Sequence, residues 1–236
     1  MKILSIECSA TPCSVAVSEN GKIIASDFTN EKMTHSQTLM PMVKSVLGFC
    51  KTDIKDIEAF AVSAGPGSFT GIRIGISAVK GMAAPRKTPC ISVSTLRAMA
   101  ENYKDTDCIV CAVMDARCNQ VYNALFKVEN GIITRLSEDR ALLCDELLPE
   151  IEALALKGEN IIVVGDGTAV FYPYAENISN VSAAEEDRRY QNAVGVALAA
   201  DELIEDNLLE PSQLQPVYLR LPQAERELKR KKESEK

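Results

Sequence analysis

Apolar and polar positions divide the chain into short strand-like runs and longer helical ones. KILSIE at residues 2–7 reads as a first strand, and CSVAVS at 13–18 alternates with the period of two that a strand requires. Asn20-Gly21 follows, a pair that favours a two-residue hairpin turn, and KIIASDF at 22–28 completes an antiparallel meander. From Thr34 the period lengthens. Leu39, Val43, Val46 and Cys50 fall on one helical face and Met40 and Leu47 widen it. Gln37 is placed to close a capping box with Thr34, and Pro41 predicts an early bend. IEAFAVS at 57–63 is a fourth strand, a helix is predicted from about Thr70 to Ala84, CISVS at 90–94 is a fifth strand, and TLRAMAENY is a short helix.

The second half starts the same order again. DCIVCAVMD and QVYNALFKV are strands, Asn130-Gly131 marks a turn, and IITRLS is a third strand. CDELLPEIEALAL is helical and predicted to break at Pro149. NIIVVGD is a strand, and NAVGVALAADELIED is a helix with Val194, Leu198 and Ile204 on its apolar side. No letters repeat, but the order of elements restarts near residue 107. The pattern predicts an α/β protein with a duplicated ribonuclease-H-like fold, the actin-like ATPase architecture. Two lobes, 1–106 and 107–236, each carry a mixed sheet flanked by helices. The final segment, about 207–236, is free to return to the first lobe.

Composition narrows this picture. A chain of 236 residues can bury roughly 70% or more of its unfolded surface, so it needs no disulfide or structural metal. Net charge is −7, which argues against a protein that grips RNA through its own basic face. The one dense basic run, RELKRKK at 226–232, is mixed with glutamates and reads as a solvated end. No run approaches the ~18 apolar residues of a membrane span. MKILSIECSA is too short and too polar for a signal peptide, so a cytoplasmic location is expected. Of eight cysteines, only Cys108 and Cys111 form a Cys-x-x-Cys. They lie in a strand, where residues three apart point to opposite faces, so they read as buried thiols. A single histidine, His35, supplies neither HExxH nor a two-histidine metal site. No metal and no catalytic residue is predicted.

Residues 64–75, AGPGSFTGIRIG, carry the densest punctuation. The stretch is not a P-loop, because no Lys-Ser/Thr follows the second glycine at the required spacing. Gly65-Pro66-Gly67 predicts a tight turn, and Ser68 or Thr70 can cap the helix that follows. Gly71, Gly75 and Ala78 share one face of that helix. Gly71, Gly75 and Gly81 cost it roughly 1 kcal/mol each against alanine, so something must lie close against its backbone. Two readings stand: packing inside its own lobe, or close contact with a partner's helix.

The sequence resembles the TsaB (YeaZ) family, the smaller partners of TsaD in threonylcarbamoyladenosine synthesis on tRNA. AGPGSFTGIRIG carries the resemblance. THSQTLMP, MDAR at 114–117, VVGDG at 163–167 and PVYLR at 216–220 support it in the family's order across nearly the whole chain. The resemblance implies a TsaD partner, with TsaE as an ATPase component and tRNA reached indirectly through the complex. The partner surface then comprises His35, Leu39, Met40, Val43 and Leu47 with Gly71, Gly75, Ala78 and Met82, and the same face can pair with itself as a homodimer when TsaD is absent. Related TsaD proteins place two metal-binding histidines on the helix after the fifth strand; Thr95 and Met99 stand at the matching positions here. Actin-like ATPases cradle phosphate in the first hairpin of each lobe. The corresponding acids are Glu7 and Asp115, where most relatives carry Asp at the first. Neither hairpin turn has a glycine, so Glu7, Asp115, Arg117, Gly165 and Gly167 form a candidate vestigial nucleotide site. No cofactor is expected, apart from weak ATP or ADP binding within the complex.

Two functions from different classes follow. One is a non-catalytic subunit that binds and organises TsaD. The other is a glycoprotease-like peptidase or ATPase active on its own, which requires a nucleophile–base pair or a metal. The absence of such a constellation favours the subunit.

Overall fold

Each half of the chain folds its first strands back on themselves and then crosses over through helices. The computed structural model describes residues 1–204 and 207–220; the predicted basic run at 226–232 lies outside the described residues. Strands β1 (Lys2–Glu7), β2 (Cys13–Glu19) and β3 (Lys22–Thr29) form an antiparallel meander, and α1 (His35–Phe49) leads to β4 (Ala59–Gly65), parallel to β1. Helix α2 (Phe69–Ala83) crosses to β5 (Cys90–Ser94), parallel to β4, and α3 (Thr95–Ala100) follows. The second half repeats this: β6 (Cys108–Asp115), β7 (Gln120–Glu129), β8 (Ile132–Arg135) and β9 (Arg140–Leu143), then α4 (Cys144–Leu156), β10 (Ile161–Val164), α5 (Thr168–Ala175), β11 (Val181–Ala183), the one-turn α6 (Glu186–Arg189) and α7 (Ala193–Leu203). The last strand among the described residues is β12 (Leu208–Leu209).

The two sheets run β12-β5-β4-β1-β2-β3 and β11-β10-β6-β7-β8, with β9 also paired to β7. Apart from β12 and β9, the strand order is the same in both, which is the duplicated ribonuclease-H-like fold. The central strands β1, β2, β4, β6 and β7 are almost wholly buried, every residue of β4 among them, as expected of strands covered on both faces, whereas β3, β8 and β9 are largely open. Cys108 and Cys111 are free, buried thiols on opposite faces of β6, in different apolar clusters.

Helices depart from expectation in three places. Helix α4 runs unbroken through Pro149 instead of ending there. An interior proline costs roughly 3 kcal/mol. In α4, Leu147 and Ile151 are fully buried and contribute about 1.5–3 kcal/mol each, enough to hold the helix across the break. Second, Thr34 precedes α1 without a side-chain cap, so the predicted capping box does not form. Third, α7 does not bury Val194, Leu198 and Ile204, which are only half-buried. It buries Ala193, Gly195, Val196, Ala197, Ala199 and Ala200.

The small face of α7 reflects where the helix sits. Although it follows the second sheet in sequence, it packs on the first, sharing a core with Ile3, Ala59, Ala61, Ile91 and Val93. Helix α3 does the converse: Leu96, Met99 and Ala100 join the core of the second sheet with Val110, Ala112 and Phe126. The two helices touch backbone to backbone, since a Cβ on Gly195 would lie 2.3 Å from the Ala98 carbonyl oxygen. Ion pairs span this contact: Arg97 of α3 reaches Glu202 of α7, and Lys104 reaches the same carboxylate at 2.6 Å, while Arg97 also donates to buried Glu101 at 2.6 Å.

The glycines of α2 separate cleanly. A Cβ on Gly71 would meet the Cys8 carbonyl oxygen at 2.0 Å and one on Gly75 would meet Val62 at 3.3 Å, whereas nothing lies within 4 Å of Gly81. Gly71→Ala and Gly75→Leu are therefore expected to lower stability by roughly 1–3 kcal/mol, and Gly81→Ala to raise it by up to ~1 kcal/mol. Thermal melts check both signs, at about 2–4 °C per kcal/mol for a chain of this size.

Candidate functional site

The ends of β1 and β6 face one another across a cleft of about 550 Å3. One lip is the β1–β2 turn with the loop entering α2; the other is the β6–β7 turn. The first lip is fixed by backbone contacts. Ser68 donates its N–H to the Ser9 carbonyl at 2.6 Å, and its side chain caps α2 by accepting from Gly71 N–H at 3.2 Å. His35 Nε2–H donates to the Ala10 carbonyl at 2.7 Å, tying α1 to the same turn. AGPGSFTGIRIG is thus a strand-to-helix crossing packed on β1, where Gly71 leaves no room for a side chain.

On the second lip, Arg117, Cys118 and Asn119 hold left-handed backbone with φ of 67°, 57° and 56°. Three such residues in a row are costly for side chains with a Cβ. The turn is closed by Ala116 N–H to Gln120 C=O at 3.0 Å, by Asn119 Nδ2 to the Tyr174 hydroxyl at 2.8 Å, and by Cys144 N–H to Asn119 C=O at 3.0 Å. Arg117 is exposed and pairs with Asp115 at 3.2 Å.

Three carboxyls gather near the floor. Glu7, the last residue of β1, is fully buried, and burial raises its carboxyl above the ordinary range against the hydrogen bonds of Ser63 and Ser9. Asp115 is the last residue of β6. Asp166, which lines the cleft, is pushed up to about 6 by desolvation, helped by the charges of Asp115 and Glu7 and opposed by Gln191, whose Nε2 donates to it at 2.6 Å.

The predicted nucleotide residues are only partly brought together. Asp115 and Arg117 line the cleft, and Glu7 lies beneath it. Gly165 and Gly167 do not offer a turn to a ligand. A Cβ on Gly165 would lie 2.0 Å from the Val113 carbonyl oxygen, and one on Gly167 2.7 Å from the Met114 backbone, so both glycines are filled by β6 itself. The predicted partner surface is also corrected. Leu39, Val43, Leu47, Gly71 and Gly75 are buried in the core of their own lobe, because a helix lying on a sheet turns its apolar stripe inward. His35 points to the cleft. Of the predicted set, Met40 is exposed at 45%, and Ala78 and Met82 are half-buried, packed at the margin of that core. Thr95 and Met99 are fully buried in α3. Asp166 was visible only as the middle of a glycine pair.

Chemically, the cleft holds no nucleophile–base pair among the described residues. Its only imidazole is engaged through Nε2 with a carbonyl, and no three His, Cys, Asp or Glu side chains lie together as metal ligands among the described residues. No helix of the described residues is long and apolar enough to cross a membrane.

Known proteins resemble the chain along most of its length. The family model for TsaD, tRNA N6-adenosine threonylcarbamoyltransferase, matches residues 22–228. The tRNA threonylcarbamoyladenosine biosynthesis protein TsaB of Bacillus subtilis (strain 168) is 29% identical over 230 residues, 95% of this chain and 96% of that protein. TsaB of Escherichia coli (strain K12) is 38% identical over 169 residues, 71% and 72% of the two chains. Among solved structures, YeaZ from Pseudomonas aeruginosa has a TM-score of 0.76 at 27% identity, covering 92% of this chain and 99% of its own.

The raised Asp166 carboxyl gives a pH dependence of known sign. Its folded value, about 6, lies above the ~3.9 of an unfolded aspartate, so the folded state binds the proton more tightly. That stability is fully present below about pH 4 and lost as pH rises through 6. Asp166→Asn is expected to gain melting temperature over the wild type as pH goes from about 4 to about 7. Parallel curves for the two proteins across that range would contradict a desolvated carboxylate.

Proposed function

The chain belongs to the TsaB (YeaZ) family, and we propose that it acts in threonylcarbamoyladenosine synthesis on tRNA as a non-catalytic subunit that binds and organises a TsaD-type catalytic partner, with TsaE as a further component. The observation that carries this reading lies in α3. The related transferases place two metal-binding histidines there, and the matching Thr95 and Met99 are buried in the core, where neither is a ligand for a hard metal. The engaged His35 and the glycines filled by β6 support the same reading.

The partner surface is the outward side of α1 and α2, centred on Met40, Ala78 and Met82. The same surface serves for self-pairing when the partner is absent. tRNA is reached through the complex, in keeping with the net charge of −7. The isolated chain holds no cofactor. It binds ATP only weakly, with a dissociation constant on the order of 0.1 mM or worse, near −5.5 kcal/mol.

Two measurements test this reading. The chain and its cognate TsaD are expected to co-purify, and this chain alone to form no modified adenosine; modification by the lone chain would overturn the proposal. Met40→Asp, at an exposed position, should weaken the complex at least about tenfold, ~1.4 kcal/mol, and leave the chain's own stability within the ~0.5 kcal/mol typical of surface changes.

A further inference from the structure

We propose that residues 216–220 form a clasp that holds the two lips of the cleft at a fixed opening, with the stacked rings of Phe69 and Tyr218 as its latch. The segment reaches this place from the first lobe. β12 pairs antiparallel with β5, and Leu214 is fully buried in the core of α1, α2 and their sheet. Val217 then donates its N–H to the Ala64 carbonyl at 2.8 Å. Its own carbonyl oxygen lies where a Cβ of Gly65 would come within 2.2 Å. The strap therefore rests on the bare backbone of the loop entering α2. Tyr218 lies on Phe69, with ring centroids 4.5 Å apart and planes 20° from parallel. Arg73 Nε donates to the Tyr218 hydroxyl at 2.6 Å, and the guanidinium stands 5.5 Å from the ring centroid.

Two residues later the chain is on the other lobe. Leu219 packs against the core of the second sheet, and Arg220 donates to the Ala116 carbonyl oxygen. Phe69 and Ala116 both line the cleft, on opposite lips. A stretch of five residues, at most about 18 Å when extended, thus bonds to both. The contact on the second lip is made at the β6–β7 turn, whose left-handed residues Arg117 to Asn119 need support to persist. The latch is on the outer surface: Val217 is 46% and Tyr218 38% exposed. Stacking and a side-chain hydrogen bond at the surface can open without unfolding the lobes beneath.

Amide hydrogen exchange on the full chain tests the clasp. In Tyr218→Ala, exchange is expected to speed up at least about tenfold in both lip segments, 65–72 and 116–120, with β1 and β6 unchanged. Tyr218→Phe, which keeps the stack, should restore most of the protection. Deleting 221–236 should leave both lips as in the wild type. Faster exchange confined to 65–72 would overturn the proposal, because the ring pair would then be local packing. It would be overturned equally if deleting 221–236 alone released both lips.

Discussion

The molecule is organised by places where backbone meets backbone with no room for a side chain between. In the first lobe the loop entering α2 lies on the end of β1, Gly71 against the Cys8 carbonyl. In the second, Gly165 and Gly167 lie on the end of β6, against Val113 and Met114. Between the lobes, Gly195 of α7 lies on Ala98 of α3. The first two contacts fix the last residues of β1 and β6, and those residues are Glu7 and Asp115. The acidic character of the cleft floor is therefore a consequence of packing: two equivalent strand ends, each terminated by an acid, are pinned facing one another. Asp166 is drawn into the same space by its flanking glycines and bears the electrostatic cost.

If the chain is the non-catalytic subunit proposed above, this arrangement explains how its cleft would outlast a chemistry. Close packing keeps its walls in place whatever the residues on them do, so His35 can be spent on a carbonyl and Thr95 and Met99 can face the core without loss of shape. On the proposed reading, the subunit would keep the rigid surface of an enzyme and offer that surface to a partner.

Much of the fold was legible in the chain, and what was not has a physical cause. Strands β1, β2, β4 to β7 and β10 are legible because buried sheet strands need apolar runs, and the open strands β3 and β8 are legible from the Asn-Gly turns before them. Strands β9 and β11 are not: they are four and three residues long, and their identity comes from the strands they pair with. Helix α5, TAVFYPYA, is apolar and aromatic nearly all round and shows no stripe. Helix α7 showed a stripe of large residues, but the buried side is the small one, since the helix must approach both a sheet and α3 closely. Likewise, the spacing of Gly71 and Gly75 gave a face demanding a close neighbour, and only the structure identified that neighbour as β1 and β4. PVYLR stood out as a motif, yet its stacking on Phe69 joins residues 149 positions apart, beyond the reach of any local pattern.

The exchange of helices between the lobes bears on how the protein is made. The first sheet has one face covered by α1 and α2, but the other is closed by α7, and its outer edge by β12. Those elements leave the ribosome only after the whole second sheet has been synthesised. At ~5–20 residues per second, the nascent first lobe spends on the order of ten seconds with an apolar sheet face bare. Its folding is thus completed from the C-terminal end, and a ribosome stalled after the second sheet displays a surface suited to chaperone capture.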